Sequence, residues 1–271
     1  MTSVAALSLF GCVGLTAKEM AVAGEAHGRK KTILLVHGAW HGGWCWGLVS
    51  RDMENLGWSI FAPTLPGLGE RAEEMNPTIG LDTHIDDIVD FILNENLTDF
   101  VMVGHSYGGM VITGVADRIK DRIMHIVYLD AALPDDGESM ISYGPEQTEA
   151  MLAATKKQLQ ALAPDGIAMS SFPPEFLGVP KDHIYYEWVK NRLTPHPLKT
   201  WLDPIRLERS GSSGLPRTYI HCIAPVLDRT SFPFIAEQVS KDSSWNYREL
   251  QTGHDAMVTA PRAVVAILAA I

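Results

Sequence analysis

Phe100-Val101-Met102-Val103-Gly104-His105-Ser106-Tyr107-Gly108-Gly109-Met110 is the stretch that decides the fold. Phe100 to Val103 is an unbroken apolar run, the pattern of a strand buried on both faces. Met110 to Ile119 reads as a helix. Gly104 to Gly109 is a tight turn between them and carries the G-x-S-x-G pattern, with Ser106 at its centre. Glycine lets the chain turn sharply without a Cβ clash. Ser106 is thereby lifted over the sheet at a helix N-terminus, where the dipole favours developing negative charge. The pattern alone is common, but a strand before it and a helix after it make it a nucleophile elbow.

Outward from this turn the same rhythm repeats. Thr32 to Val36 is a second buried strand, followed by a helix over Trp44–Leu56 that Gly57 closes. Trp58 to Ala62 is a strand, and Pro63 to Gly69 a loop rich in Pro and Gly. Asp82 is the expected N-cap of a helix reaching about Asn94, with Ile85, Ile88, Val89 and Ile92 on one face. Ile123 to Leu129 is the next strand. From about Pro134 to Arg217 no clean strand occurs, and an insertion of roughly 80 residues is too long for a plain connection. It is expected to form a helical lid. Strands resume at Thr218–Ile223 and Trp245–Leu250, and Pro261 to Ile271 closes the chain as a helix. Strands alternating with helices predict an α/β fold with a mostly parallel sheet covered on both faces.

Composition agrees with one such domain. The chain has 271 residues, 46% of them hydrophobic, enough to bury a core without disulfides or metals. Its net charge of −10 argues against a nucleic-acid binder, whose footprint is a basic patch. The three cysteines, Cys12, Cys45 and Cys222, show neither CxxC nor zinc spacing. The first 28 or so residues are set apart as a leader or export signal. Val4 to Phe10 is too short to span a membrane, and Ala21-Val22-Ala23 resembles a cleavage site. Met1-Thr2-Ser3 lacks the basic start of a secretory signal, so cytoplasmic and exported locations both remain open. Residues 29–271 are expected to form a single domain with its insertion at about 134–217.

A serine hydroxyl needs a base to become a nucleophile. His254, just beyond the last strand in Thr252-Gly253-His254-Asp255, is the candidate, because the order serine, acid, histidine fits the elbow plan. An oxyanion hole requires backbone N–H groups that already face the reacting oxygen. The residue after the nucleophile, Tyr107, supplies one. Ala39, in His37-Gly38-Ala39-Trp40 after the first strand, supplies the other. The acid has two candidates. Asp130 stands directly at a strand end, where an ionised carboxylate is costly without a partner. Asp228 lies several residues past Ile223, beyond Pro225. Asp130 is preferred and Asp228 kept as the alternative. Asp135, Asp136 and Asp255 read as solvated loop or cap residues.

Together these motifs resemble an α/β-hydrolase of the small esterase group that includes salicylic-acid-binding methyl esterases, polyneuridine aldehyde esterase and hydroxynitrile lyases, and bacterial esterase-like members above all. The matching stretches are His37–Trp44, Leu65–Arg71, Gly80–His84, Val103–Gly109, Tyr128–Pro134 and Gly253–Met257. The resemblance implies Ser106 as nucleophile, His254 as base, and Ala39 and Tyr107 as oxyanion donors. The plant members' acid aligns near Pro225, which cannot serve. The bacterial members' Leu-Asp-Ala step supports Asp130. About six parallel strands are expected.

The function expected is hydrolysis of a carboxylic ester through an acyl-enzyme, with no metal and no organic cofactor. Met151, Met169, Phe172, Phe176, Tyr185, Tyr186, Trp188 and Trp201 give the lid an apolar character that suits a small or medium hydrophobic ester. Trp40, His41 and Trp188 are the candidate substrate contacts. A lactonase or acyltransferase would share every motif, and a ligand-binding receptor on the same fold is the non-enzyme alternative. A hydroxynitrile lyase would carry a lysine near the catalytic histidine, where this chain has Gly253 and Asp255. An aspartate-nucleophile hydrolase is excluded by Ser106. The expected partner is a small-molecule ester, with a homodimer as one option for assembly.

Overall fold

The computed structural model describes residues 30–271, so the leader expectation for residues 1–28 lies outside the described residues. The core alternates strands and helices: β1 (Thr32–Val36), α1 (Gly47–Asn55), β2 (Ser59–Phe61), α2 (Leu81–Asn94), β3 (Phe100–His105), α3 (Gly108–Ile119) and β4 (Ile123–Leu129). The chain then leaves the sheet for α4 (Glu149–Leu162), β5 (Ala168–Met169), α5 (Tyr186–Lys190), β6 (His196–Pro197) and α6 (Lys199–Leu202). It returns as β7 (Arg217–Cys222), α7 (Phe232–Lys241), β8 (Trp245–Leu250), α8 (Ala256–Thr259) and α9 (Pro261–Ala269). No helix among the described residues is long and apolar enough to cross a membrane.

The main sheet has six strands in the order β2-β1-β3-β4-β7-β8, and every neighbouring pair is parallel. This is the α/β-hydrolase fold. The unbroken apolar runs have a simple cause. Side chains alternate across a strand, so one apolar set faces each layer of helices. Leu34, Val36, Met102 and Ile126 pack with Ile85, Ile88 and Val115 on one face. Ile33, Leu35, Val101, Val103 and Val127 pack with Val49, Met53, Val264 and Leu268 on the other. Each such side chain contributes about 1.5–3 kcal/mol when fully buried.

The strand order reverses at β1 and β3, and connections leave the carboxyl ends of those strands in opposite directions. The crevice above them is where open parallel sheets place their sites. His105 of β3 pairs with Leu129 of β4, Leu129 with Ile220 of β7, and Cys222 with Leu250 of β8. The residues that follow β3, β4 and β8 therefore meet at one edge.

Two local expectations are corrected. The helix expected over Trp44–Leu56 begins as a 3-10 turn over Gly43–Trp46 before α1. Asp82 is not the N-cap of α2, which starts at Leu81 with Gly80 in that place. The Gly80 N–H donates to Thr83 Oγ1 at 3.1 Å, and the Leu81 N–H donates to Asp203 Oδ2 at 3.2 Å. An aspartate from the insertion thus serves the end of a core helix, which no local pattern could reveal.

The insertion rejoins the sheet through Asp117 of α3. This buried carboxylate accepts the N–H groups of Glu208, Arg209 and Gly211 at 2.8, 2.7 and 2.8 Å. Burial alone would raise its pKa, but those three donors outweigh it and hold the carboxyl below its usual 3.8. Its stabilisation is therefore present above the unfolded value and lost as pH falls through the lower folded one. Asp117→Ala should cost about 2–3 kcal/mol in urea denaturation at neutral pH, because three donors lose their acceptor. The gap to the wild type should close as the pH drops below about 4.

Candidate active site

Ser106 sits at the end of β3 with φ +55°, in the left-handed region that costs a non-glycine residue about 1–3 kcal/mol. The surrounding backbone enforces it. The Ser106 carbonyl accepts the N–H groups of Gly109 and Ala132, both at 3.0 Å, and its own N–H reaches Leu129 O at 3.3 Å. A Cβ on Gly38 would stand 2.8 Å from Ser106 Cβ, so only glycine lets the loop after β1 approach the serine this closely.

Asp130 follows β4 directly and is also left-handed, at φ +44°. It is 1% exposed. Its N–H donates to Ile220 O at 2.7 Å, and Oδ1 accepts the Cys222 N–H at 3.1 Å. Oδ2 accepts His254 Nδ1–H at 2.6 Å. A carboxylate only accepts, so a proton stands on His254 Nδ1, which donates it to Asp130. The His254 ring stacks on Phe232, with centroids 5.2 Å apart and planes within 13°. Behind it the insertion crosses closely. Gly178 has φ +83°, and a Cβ there would collide with the backbone of Gly253 and His254. Asp228, the alternative acid, is exposed in the turns after β7 and makes no hydrogen bond to His254. Of the two acid candidates, Asp130 is the one hydrogen-bonded to His254.

The loop after β1 is held by imidazoles. Leu65 N–H donates to His37 Nε2 at 3.0 Å, so the His37 proton is on Nδ1, from which it donates to Gly38 O at 2.8 Å. Trp40 N–H donates to His196 Nδ1 at 3.3 Å, and His196 Nε2–H donates to Thr200 Oγ1 at 2.8 Å. The Tyr107 hydroxyl donates to His84 Nδ1 at 2.9 Å, and His84 Nε2–H donates to Pro66 O at 3.0 Å. All three rings are buried and neutral. Burial pushes His37 down to about 3 and His84 down to about 4, and it drives His196 well below the usual histidine value. With Gly38 O turned to His37, the Ala39 N–H faces the opposite way. Among the described residues neither the Ala39 nor the Tyr107 N–H has an acceptor, although both residues are buried. Buried unpaired N–H groups are rare. Two of them on the segments next to the serine are the kind of donor that an anion would satisfy.

Ser106 and His254 line one cavity of about 330 Å³. Its other walls are largely apolar, with Trp40, Leu159, Phe172, Phe176, Trp201 and Phe232 prominent. Trp40 meets Phe172 edge-on at 5.1 Å and Trp201 at 5.5 Å, while its Nε1–H donates to Met169 O at 3.3 Å. The expectation for Trp40 therefore fits the cavity, and those for His41 and Trp188 do not. His41 is buried behind Ala39, where its ring bonds Asp255. Trp188 packs against Trp44 at 5.0 Å, on the core side away from the cavity. Asp255, read as a solvated residue, is completely buried. Met140, Leu159, Leu177, Leu227, Arg229, Thr230 and Phe232 also line the cavity and were not foreseen. None lies in a motif; only the apolar start of α7 hinted at Phe232.

A larger polar cleft of about 450 Å³, bordered by Asp135, Asp136, Arg217 and Trp245, includes neither Ser106 nor His254. Among the described residues, one group has metal-ligand chemistry. The ligand atoms of His105, His254 and Asp255 lie within 4.8 Å of one another. Each residue is hydrogen-bonded within the protein through one side-chain atom, while His105 Nδ1 and Asp255 Oδ1 have no hydrogen-bond partner among the described residues.

Comparison with known proteins agrees with this geometry. The sequence pattern of the alpha/beta hydrolase family matches residues 33–267. A carbendazim hydrolyzing esterase of Nocardioides sp. (strain SG-4G) is 37% identical over 241 residues, covering 88% of this chain and 98% of that one. Among solved structures, an extracellular alpha/beta-hydrolase from a Paenibacillus species superposes with a TM-score of 0.74 at 24% identity, over 89% of this chain and 98% of its own. Polyneuridine aldehyde esterase superposes with a TM-score of 0.68 at 19% identity, over 89% and 99%. The structural likenesses carry the fold, and the family pattern with the 37% identical esterase carries the relationship: this chain belongs to the alpha/beta hydrolase family.

Proposed function

We propose that this ester hydrolase cleaves a small to medium hydrophobic carboxylic ester through Ser106, His254 and Asp130. The observation that carries the reading is the 2.6 Å bond from His254 Nδ1 to the buried Asp130 carboxylate, beside a cavity that Ser106 also lines. With Nδ1 committed to Asp130, Nε2 is the base that takes the Ser106 proton. Ser106 Oγ attacks the ester carbonyl, and the charge on its oxygen is met by the N–H groups of Ala39 and Tyr107. His254 then returns the proton to the leaving alcohol. Water attacks the acyl-enzyme by the same route, with His254 again as base. Asp130 holds the ring and stabilises its charged form without taking the proton.

The insertion acts as a lid in this reading. Leu159, Phe172, Phe176 and Trp201 come from it and wall the cavity with hydrocarbon and aromatic rings. Such walls favour an apolar acyl or alkoxy group over a sugar or a highly charged metabolite.

Ser106→Ala should reduce p-nitrophenyl butyrate turnover by about a million-fold, leaving only the residual rate, about 10³–10⁴-fold over water, that the anion-binding N–H groups and binding supply. A serine-directed phosphonate should label Ser106 stoichiometrically; labelling elsewhere, or a working alanine variant, would overturn the assignment. Asp130→Asn should lower kcat by on the order of 10⁴, because the amide favours the wrong imidazole tautomer. Asp228→Asn should leave kcat unchanged, and the opposite ranking would make Asp228 the acid. Carbendazim belongs in the substrate panel, with aromatic methyl esters and lactones, because the Nocardioides relative is named for hydrolysing it.

A further inference from the structure

We propose that His41 and Asp255 form a buried ion pair that positions the two halves of the reaction centre relative to each other. The pair lies outside the cavity and touches no reacting atom, so both are positioning residues. The inference rests on the triad reading above.

The charge follows from hydrogen-bond logic. His41 Nδ1 lies 2.8 Å from Ala39 O, and Nε2 lies 3.1 Å from Asp255 Oδ2. Both neighbours are acceptors only, so both ring nitrogens must donate and the ring is an imidazolium. This sets His41 apart from His37, His84 and His196, each of which has one nitrogen that accepts. Burial opposes the charge on His41, but the Asp255 carboxylate reverses that and holds the proton above the usual histidine value. Asp255 is 0% exposed, and its Oδ1 has no hydrogen-bond donor. An uncompensated carboxylate there would be strongly disfavoured, so the pair stands or falls as a unit.

Its placement gives the role. Ala39 carries one N–H of the anion cradle, and His41 grips the carbonyl of that same residue. Asp255 directly follows His254, and its N–H is anchored to Leu177 O at 2.9 Å. A single ion pair therefore connects the cradle loop to the histidine loop across 214 residues of sequence. His105, directly before Ser106, completes the layer by donating Nε2–H to His254 O at 3.1 Å. Loosening the tie would leave binding intact but misalign cradle and base, and a misplacement of about 1 Å can cost 10²-fold in rate.

The test is steady-state hydrolysis of p-nitrophenyl butyrate by the full chain. Asp255→Ala should lower kcat by about 10–100-fold, with KM changed less than about twofold. Asp255→Asn should regain most of kcat, since its amide can donate to His41 Nε2 while His41 Nδ1–H stays on Ala39 O. The double variant His41→Ala/Asp255→Ala should fall no lower than the poorer single one. The apolar replacement His41→Met/Asp255→Leu covers the case where Asp255→Ala does not fold, because removing both charges spares stability. It should show the same fall in kcat at near wild-type melting temperature. Unchanged kcat in the folded variants, a loss confined to KM, no rescue by asparagine, or independent losses in the double variant would each overturn the proposal. Ser106→Ala in the same assay separates the two ideas: if it turns over, the triad reading fails; if it is dead and the pair variants are unimpaired, only the pair fails.

Discussion

An almost fully buried carboxylate governs the arrangement of this site. Asp130 leaves β4 in a left-handed turn, and its two oxygens are satisfied by different partners, the Cys222 N–H and the His254 ring. A buried charge survives only when hydrogen-bonded and compensated. β7 must therefore lie beside β4, and the loop after β8 must reach back over β7. The strand order β4-β7-β8 with all directions parallel meets both conditions, and it brings Ser106 to the same edge from β3. The serine's own strained conformation is held by bonds to the residues around Asp130, so the two turns fix each other.

Around that edge the protein uses histidine in three physical states. His37, His84 and His196 are neutral connectors, their tautomers set by one donor and one acceptor each. His254 is held through Nδ1 by a buried carboxylate. His41 faces acceptors on both sides and is charged. The environment, and not the residue type, decides which state each ring holds. The cradle loop is rigid because successive peptide groups are gripped by separate rings, which leaves the Ala39 N–H without an internal partner.

The insertion performs two jobs with different physics. Its apolar side chains wall the cavity, while its backbone anchors to the core through buried polar contacts. Asp117 collects three of its N–H groups near the return to β7, and Gly178 presses backbone to backbone on the histidine loop. The cavity and the position of His254 are therefore coupled to how well this segment docks.

The sequence by itself determined the sheet and the strand–turn–helix elbow, and it singled out His254 as the candidate base and His37–Trp40 as the candidate cradle loop. These are written in local patterns: apolar runs of strand length, a G-x-S-x-G between strand and helix, and His-Gly after a buried strand. It also favoured Asp130 over Asp228, because a carboxylate at the end of an apolar strand calls for a partner. The tertiary structure decided what depends on residues far apart in the chain. Asp255 looked solvated and is buried, because its partner His41 lies 214 residues away. Trp188 looked like a cavity residue and faces Trp44, because helix α5 turns that side to the core. The first N–H of α2 finds its acceptor in Asp203, and the cavity wall draws on α4, α7 and the turns after β7. Local patterns report the conformation of a segment; which buried donor meets which acceptor is fixed only when distant segments pack, and here that pairing sets the charge and direction of each group at the site.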